Sequence, residues 1–128
     1  MAVINPNANP PVKPNGDDSC IRLVYTPMTF SGTDVTSSIP FTQWADRSVQ
    51  VFGTFGAAGN LRVEGSNDGG TTWATLTDPQ GNALDFTSAK IEAITEICEL
   101  VRARVTAGDG TTSLTVAFLL RRPQQLRV

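Results

Sequence analysis

The sequence contains no histidine, and this absence removes much of the chemistry that protein sites commonly use. Nucleophiles of the Ser-His-Asp and Cys-His types need an imidazole base, and many zinc sites need an imidazole ligand. The chain also has only two lysines and one tyrosine. A catalyst would depend almost entirely on carboxylates. We therefore expect a protein that is not an enzyme and has neither a cofactor nor a metal site.

Cysteine is nearly as scarce. Cys20 and Cys98 lie far apart and form no Cys-x-x-Cys motif, which excludes a thiolate metal cluster. We interpret both as small core residues, and a disulfide between them is the alternative that the spacing leaves open. Long apolar runs are missing too, since no stretch approaches the ~20 apolar residues of a membrane span. Residues 1–9 lack the basic start and apolar run of a secretory signal peptide. We expect no membrane partner.

What the chain does contain is typical of a single β-rich domain. It has 128 residues, of which 40% are hydrophobic, and it is rich in threonine. Apolar and polar residues alternate with period two in several short stretches, which predicts half-buried strands. These stretches are residues 20–25, 48–55, 61–65, 101–105 and 114–120. Residues 90–100 fit both a strand and a helix, and β-branched residues favour the strand.

Short strands at this spacing predict an all-β fold, either an antiparallel β-sandwich or a jelly-roll-like barrel. We assign this domain to residues 20–122 and a C-terminal tail to residues 123–128. Residues 1–19 hold four of the eight prolines, interleaved with asparagines. Proline excludes a helix or a central strand there, so we predict an extended N-terminal arm. The arm is either a frayed terminus or a segment that orders against a neighbouring subunit.

Residues 66–73 match the Asp-box hairpin pattern at its five defining positions. These are Ser66, Asp68, Gly70, Thr72 and Trp73. The aspartate is expected to accept backbone N–H groups within its own turn, and glycine supplies a positive φ where the chain reverses. The tryptophan is expected to pin the hairpin to the core. We interpret the motif as a structural turn, and a sugar or calcium loop is the alternative. One copy in so short a chain excludes a propeller glycosidase.

The uneven distribution of charge suggests a contact with a partner, and the two tryptophans suggest a contact with a sugar. Residues 100–128 hold five arginines against one aspartate, although the whole chain carries −2. Without interleaved aromatic residues this favours an acidic protein partner or a sister subunit over nucleic acid. Trp44 is interpreted as a core residue. An exposed platform for a sugar, at Trp44 or Trp73, is the alternative.

The order of motifs resembles small β-rich virion proteins of tailed bacteriophages, particularly head decoration or cement proteins. The resemblance covers residues 48–122. It rests on residues 59–73 (GNLRVEGSNDGGTTW) and above all on residues 101–116 (VRARVTAGDGTTSLTV). It implies a non-enzymatic protein, made in the host cytoplasm, that binds the outer surface of the capsid and bridges subunits of the major capsid protein. A tail or head-completion component and a glycan-binding module are the alternatives.

The resemblance also implies an oligomer, with a trimer favoured at three-fold capsid positions and a dimer as the alternative. On this hypothesis the arm and the basic end of the chain contact the partner. The candidate contact residues are Asn5, Pro6, Asn9, Pro10, Pro11, Lys13, Arg121 and Arg122.

Overall fold

The computed structural model describes residues 2–31 and 33–123. Within these ranges the secondary structure consists of eleven β-strands and no helix. The strands are β1 (Val3–Ile4), β2 (Cys20–Thr29), β3 (Val35–Thr36), β4 (Ile39–Pro40), β5 (Asp46–Thr54), β6 (Asn60–Ser66), β7 (Ala74–Thr75), β8 (Asp85–Phe86), β9 (Lys90–Ala93), β10 (Leu100–Ala107) and β11 (Ser113–Arg121). In the described part of the chain no helix is long and apolar enough to cross a membrane.

Two sheets form the domain, which confirms the all-β sandwich. One sheet has the order β2-β11-β5-β9. The other follows the path β1-β3-β10-β6-β7, with β4 also paired to β10 and β8 to β6. Burial alternates along β10 and β11, because successive side chains of a strand point to opposite faces. All pairings are antiparallel except the two-residue pairing of β1 with β3.

The inner faces of both sheets contribute to one hydrophobic core. Its fully buried large side chains come from β2, β6, β8 and β11 and from the connecting segments. They include Tyr25, Met28, Phe41, Leu61, Leu84, Phe86, Leu114 and Phe118. Trp44, Cys20 and Cys98 are buried as well, and both cysteines are free thiols, which agrees with their interpretation as core residues.

Strand β2 is longer than the sequence indicates, because Pro27 does not end it. The pairing of β2 with β11 shifts between Leu114 and Val116, so two residues of β2 face one residue of β11 at this point. Proline is tolerated at such a bulge and on an outer strand, where a missing N–H costs little. The strand therefore continues to Thr29.

Residues 90–100 are strand only at their two ends, in β9 and at Leu100. Between them the chain crosses from one sheet to the other without regular structure. Arg47 holds this crossing, since its guanidinium donates to the carbonyl oxygens of Ile94 (3.4 Å) and Thr95 (3.2 Å). The same guanidinium lies over the ring of Phe41, 5.3 Å from its centroid.

The extended N-terminal arm is not confirmed, because residues 2–19 are bonded to the sandwich of their own chain. Strand β1 pairs with β3, and the N–H of Asn7 donates to the Val24 carbonyl oxygen at 2.8 Å. Further along, the Val12 carbonyl oxygen accepts the Arg22 N–H at 2.8 Å. Prolines between these points exclude a longer strand. Of the predicted C-terminal tail, residues 124–128 lie outside the described ranges.

Candidate functional site

The Asp-box hairpin between β6 and β7 is closed by hydrogen bonds of its own residues. The Asp68 Oδ1 accepts the N–H groups of Thr72 (2.8 Å) and Thr71 (3.1 Å) and the Ser66 hydroxyl (2.8 Å). The Ser66 Oγ in turn accepts the Gly70 N–H at 3.0 Å. Gly69 and Gly70 both have a positive φ, which glycine adopts without a steric cost. The geometry is that of a self-closed structural turn.

These bonds also set the charge of the aspartate. The Thr72 N–H and the Ser66 hydroxyl lower the pKa of Asp68 from 3.8 to about 2. Donors that face a carboxylate stabilise its ionised form. Asp68 is therefore a permanent anion at neutral pH, and its Oδ1 is occupied by donors of its own turn.

A second set of bonds fastens the hairpin to the segment that precedes β10. The Gly69 N–H donates to the Glu99 Oε1 at 2.8 Å, and the Glu99 N–H donates to the Asn67 Oδ1 at 2.9 Å. Nearby, the Glu96 carboxylate accepts both the backbone N–H and the hydroxyl of Thr77. Glu99 thus joins the segment before β10 to the Asp-box hairpin, and Glu96 joins the same segment to Thr77.

Trp73 differs from its expected place, since it is half-buried on the outer face of the larger sheet and is not part of the core. Its indole N–H donates to the Gly70 carbonyl oxygen at 2.9 Å. The Arg102 guanidinium covers one face of the ring, 4.1 Å from its centroid, in a cation–π contact. The tryptophan therefore pins the hairpin to a strand of the sheet surface.

A groove of about 440 Å³ runs between the hairpin and residues 96–98. Trp73, Leu76 and Ile97 supply its apolar wall, and Ile97 is 77% exposed. Its carboxylates, Asp68 and Glu96, already accept hydrogen bonds from the protein. A sugar site needs polar groups that are free to bind the hydroxyls of the sugar. The two carboxylates of this groove are already used within the protein, which does not favour a sugar site here. The other sugar platform considered, Trp44, is buried at 5% exposure.

The candidate contact residues fall into three groups. Pro6 and Pro11 line a hollow of about 240 Å³ together with Trp44. The Arg122 guanidinium lies 5.6 Å from the Trp44 ring, so this arginine joins the same group. Asn5, Asn9 and Pro10 are exposed along the N-terminal segment without reaching this hollow.

The other two candidates are paired within the chain. The Lys13 Nζ lies 2.8 Å from the Asp18 carboxylate, and the Arg121 guanidinium lies 2.7 Å from the Asp46 carboxylate. All four side chains remain largely exposed. Each ion pair neutralises the positive charge that the sequence offers to a partner.

Sequence reasoning missed the most buried charged cluster. Glu64 accepts hydrogen bonds from Arg102 (2.9 Å) and bidentately from Arg104 (3.2 and 3.0 Å). Burial alone would raise the pKa of Glu64, but the bonds from Arg104 and Arg102 outweigh it and the pKa is lowered. Two of the arginines that make the C-terminal region basic thus share the single negative charge of Glu64 on the neighbouring strand. The alternation of residues 61–65 and 101–105 predicts that the charged side chains of each strand share one face. It does not predict that these two strands are neighbours in the sheet.

A second aspartate turn lies between β10 and β11. Asp109 accepts the hydroxyl of Thr111 (2.6 Å) and the N–H of Ala57 (2.8 Å), which lower its pKa to about 2. It joins the β10–β11 turn to the β5–β6 turn. The sequence Ala107-Gly108-Asp109-Gly110 predicts a turn, but it does not predict the bond from Asp109 to Ala57.

No group of three or more cysteines, aspartates and glutamates in the described residues is arranged to hold a metal ion. Comparison of the chain with protein-family profiles, with curated proteins and with solved structures found no match.

Proposed function

We propose that this chain is a non-enzymatic structural protein of a tailed-bacteriophage virion, and specifically a decoration protein on the outer surface of the capsid. It is made in the host cytoplasm and then binds the major capsid protein, where it bridges neighbouring subunits. The proposal depends on the resemblance of residues 48–122 to such proteins and on the way this chain uses its polar groups.

The main support for the proposal is the way in which the chain uses its carboxylates. The carboxylates with lowered pKa close turns or join segments of the chain. Asp68 and Asp109 accept donors of their own turns, Glu96 accepts those of Thr77, and Glu64 holds two arginines. Residues used in this way stiffen the loops of a β-sandwich. A stiff body that contacts several capsid subunits at once binds tightly even when each contact is weak.

The charge pattern supports a protein partner over nucleic acid. Three of the arginines in the basic C-terminal region are paired with Glu64 or Asp46. Paired arginines release few counterions from a phosphate backbone, so they contribute little to nucleic-acid affinity.

The location of the protein in the particle tests the proposal. We would raise an antibody against the chain and label purified particles of the phage that encodes it, with copy number measured by quantitative mass spectrometry. We expect label over the head and a copy number in fixed ratio to the major capsid protein. Label at the tail alone would favour the tail alternative. Absence of the chain from the particle would overturn the proposal.

The role of the N-terminal segment needs a second experiment. Deletion of residues 2–16 would also remove β1, so the sharper change is replacement of the exposed Asn9 and Pro10 by serine. We expect lower occupancy on emptied, expanded heads and an unchanged melting temperature. A matched change at exposed Gln80, in a turn on another part of the chain, is the control. Unchanged occupancy of the Asn9/Pro10 variant would remove this segment from the contact.

A further inference from the structure

Strand β9 is the outermost strand of the four-stranded sheet, and within residues 2–31 and 33–123 nothing pairs with its outer edge. On its inner edge it pairs with β5. The Ile94 N–H donates to the Arg47 carbonyl oxygen at 3.0 Å, so Ile94 and Arg47 are a hydrogen-bonded pair at the end of the two paired strands. Bonded and non-bonded residue pairs alternate along two antiparallel strands. The backbone groups of Ile91 and Ala93 therefore point away from β5, towards solvent.

The side chains along this edge are exposed as well. Ile91 is 63% exposed, the second highest value among the large hydrophobic residues of the described chain. Ala89, Lys90 and Ala93 are also exposed. An open edge with an apolar side chain is a template for another strand, and proteins usually cover or use such an edge.

The sequence of this edge is complementary to itself in the antiparallel direction. Residues 89–93 read Ala-Lys-Ile-Glu-Ala. When two copies are paired with Ile91 opposite Ile91, each Lys90 faces Glu92 of the other copy. The alanines at the two ends then face one another. Opposite charges directly across two strands stabilise their pairing.

Charge also selects this register over its neighbours. A pairing centred on Glu92 places two carboxylates opposite each other, and one centred on Lys90 places two ammonium groups opposite each other. Like charges at directly opposed positions are destabilising. Only the register centred on Ile91 pairs both charges, and it also uses the backbone groups that point outward.

The surroundings of the two charged residues agree with this register. Lys90 and Glu92 line one small hollow with Asp78 and Asp85. None of the ion pairs within the described residues includes Lys90, whereas Asp85 is bonded to Arg62. Asp78, Asp85 and Glu92 all line this hollow, so this side of the strand is rich in negative charge. An ammonium group from a second copy is suited to that position.

We propose that β9 is a homodimer interface, in which two copies pair antiparallel about a two-fold axis at Ile91. The two four-stranded sheets become one continuous sheet of eight strands. The main-chain groups of Ile91 bond to those of the other Ile91, and each Lys90 pairs with Glu92 of the other copy. The edge is short, so the dimer is weak and depends on protein concentration. This proposal goes beyond the proposed function and does not rest on it.

A charge swap tests the proposal on the full chain. We would measure the dimerisation constant by sedimentation velocity over a wide range of protein concentration at low salt. Lys90→Glu and Glu92→Lys each place like charges across both symmetric contacts, and each is expected to weaken the dimer about tenfold or more. The double variant Lys90→Glu/Glu92→Lys restores opposite charges and is expected to recover the wild-type constant.

A backbone variant gives an independent test. Ile91→Pro removes an N–H that points away from β5, so the sheet keeps its internal bonds while the dimer loses its central pair. Circular dichroism checks that each variant is folded. A wild-type protein that stays monomeric at the highest concentration overturns the proposal. So does a dimer or trimer whose constant is unchanged in both single charge variants, because its interface then lies elsewhere.

Discussion

At the scale of single residues, aspartate is the side chain that closes the turns of this protein. Asp68 and Asp109 each accept at least two donors, and Asp78 accepts the N–H groups of Gln80 and Asn82 at 2.9 Å. In each turn at least one donor comes from a residue next to a glycine in the sequence. Such a turn is closed by hydrogen bonds within the chain, and both cysteines of the chain are free thiols.

These turns predict a loss of stability in acid. The pKa of Asp68 and of Asp109 is about 2 in the folded protein, against 3.8 ordinarily. A folded-state pKa below the unfolded value stabilises the fold above the unfolded pKa, and this contribution is lost as the pH falls from about 4 towards 2. We expect Asp68→Asn to be less stable than wild type at pH 7 and to show a smaller further loss across this range.

Urea unfolding at several pH values measures this effect, and Asp18→Asn is a control. Asp18 is exposed and belongs to no turn that joins two strands, although its ion pair with Lys13 also lowers its pKa. If the stability of Asp68→Asn falls as steeply as that of wild type below pH 4, the turn is not the source of the acid sensitivity.

The Glu64 cluster leads to a second prediction at this scale. Glu64 is 5% exposed and is the sole carboxylate that contacts Arg102 and Arg104 among the ion pairs of the described residues. Glu64→Gln leaves two arginines without their counter-charge, and we expect it to lower the free energy of unfolding by about 2 kcal/mol. Arg62→Gln, which breaks the more exposed pair with Asp85, is the matched control and is expected to cost less than about 1 kcal/mol.

At the scale of elements, the backbone of β11 lies close beside Gly53 of β5. Its φ is +121°, and a Cβ atom there would lie 2.6 Å from the Ser113 carbonyl oxygen. Because that oxygen belongs to the backbone of the paired strand, it cannot move aside without shifting the sheet. A glycine in a strand often marks such an approach.

Gly53→Ala is therefore expected to lower the free energy of unfolding by about 3 kcal/mol, as overpacking and backbone strain combine. Gly81→Ala is the control, since Gly81 also has a positive φ but a Cβ there meets nothing within 4 Å. Gly81→Ala is expected to lower the free energy of unfolding by about 1 kcal/mol, through backbone strain alone. Chemical denaturation measures both. Equal losses in the two variants would contradict a role for the contact with Ser113.

The elements also show how far the sequence predicts this fold. Residues 48–55, 61–65, 101–105 and 114–120 are strands with small errors at their ends, since period-two alternation reports the local face of a strand. The turn at Asp68 was predictable because all its donors are local. The Glu64 cluster was not, because strand pairing across 38 residues leaves no periodic signal. The crossing at 94–98 is set by Arg47, which lies 47 residues before Ile94 in the sequence.

At the scale of the whole molecule, one core joins both sheets and the N-terminal segment. Trp44 lies in the core and also lines the hollow beneath Pro6 and Pro11. Strand β2 pairs with β11, so residues near the two ends of the domain are neighbours in the same sheet. Domains dominated by such distant pairings fold slowly and cooperatively, because few contacts form before the chain closes its long loops.

This architecture predicts that the domain and the N-terminal segment unfold together. Trp73→Phe leaves Trp44 as the only tryptophan, and its fluorescence then reports the hollow beneath the N-terminal prolines. Far-UV circular dichroism reports the strands of both sheets. We expect the two urea transitions to coincide, as a two-state domain of this size requires. A fluorescence transition at lower urea than the dichroism transition would show that residues 2–12 detach first, and the segment would then be free to bind a neighbouring subunit.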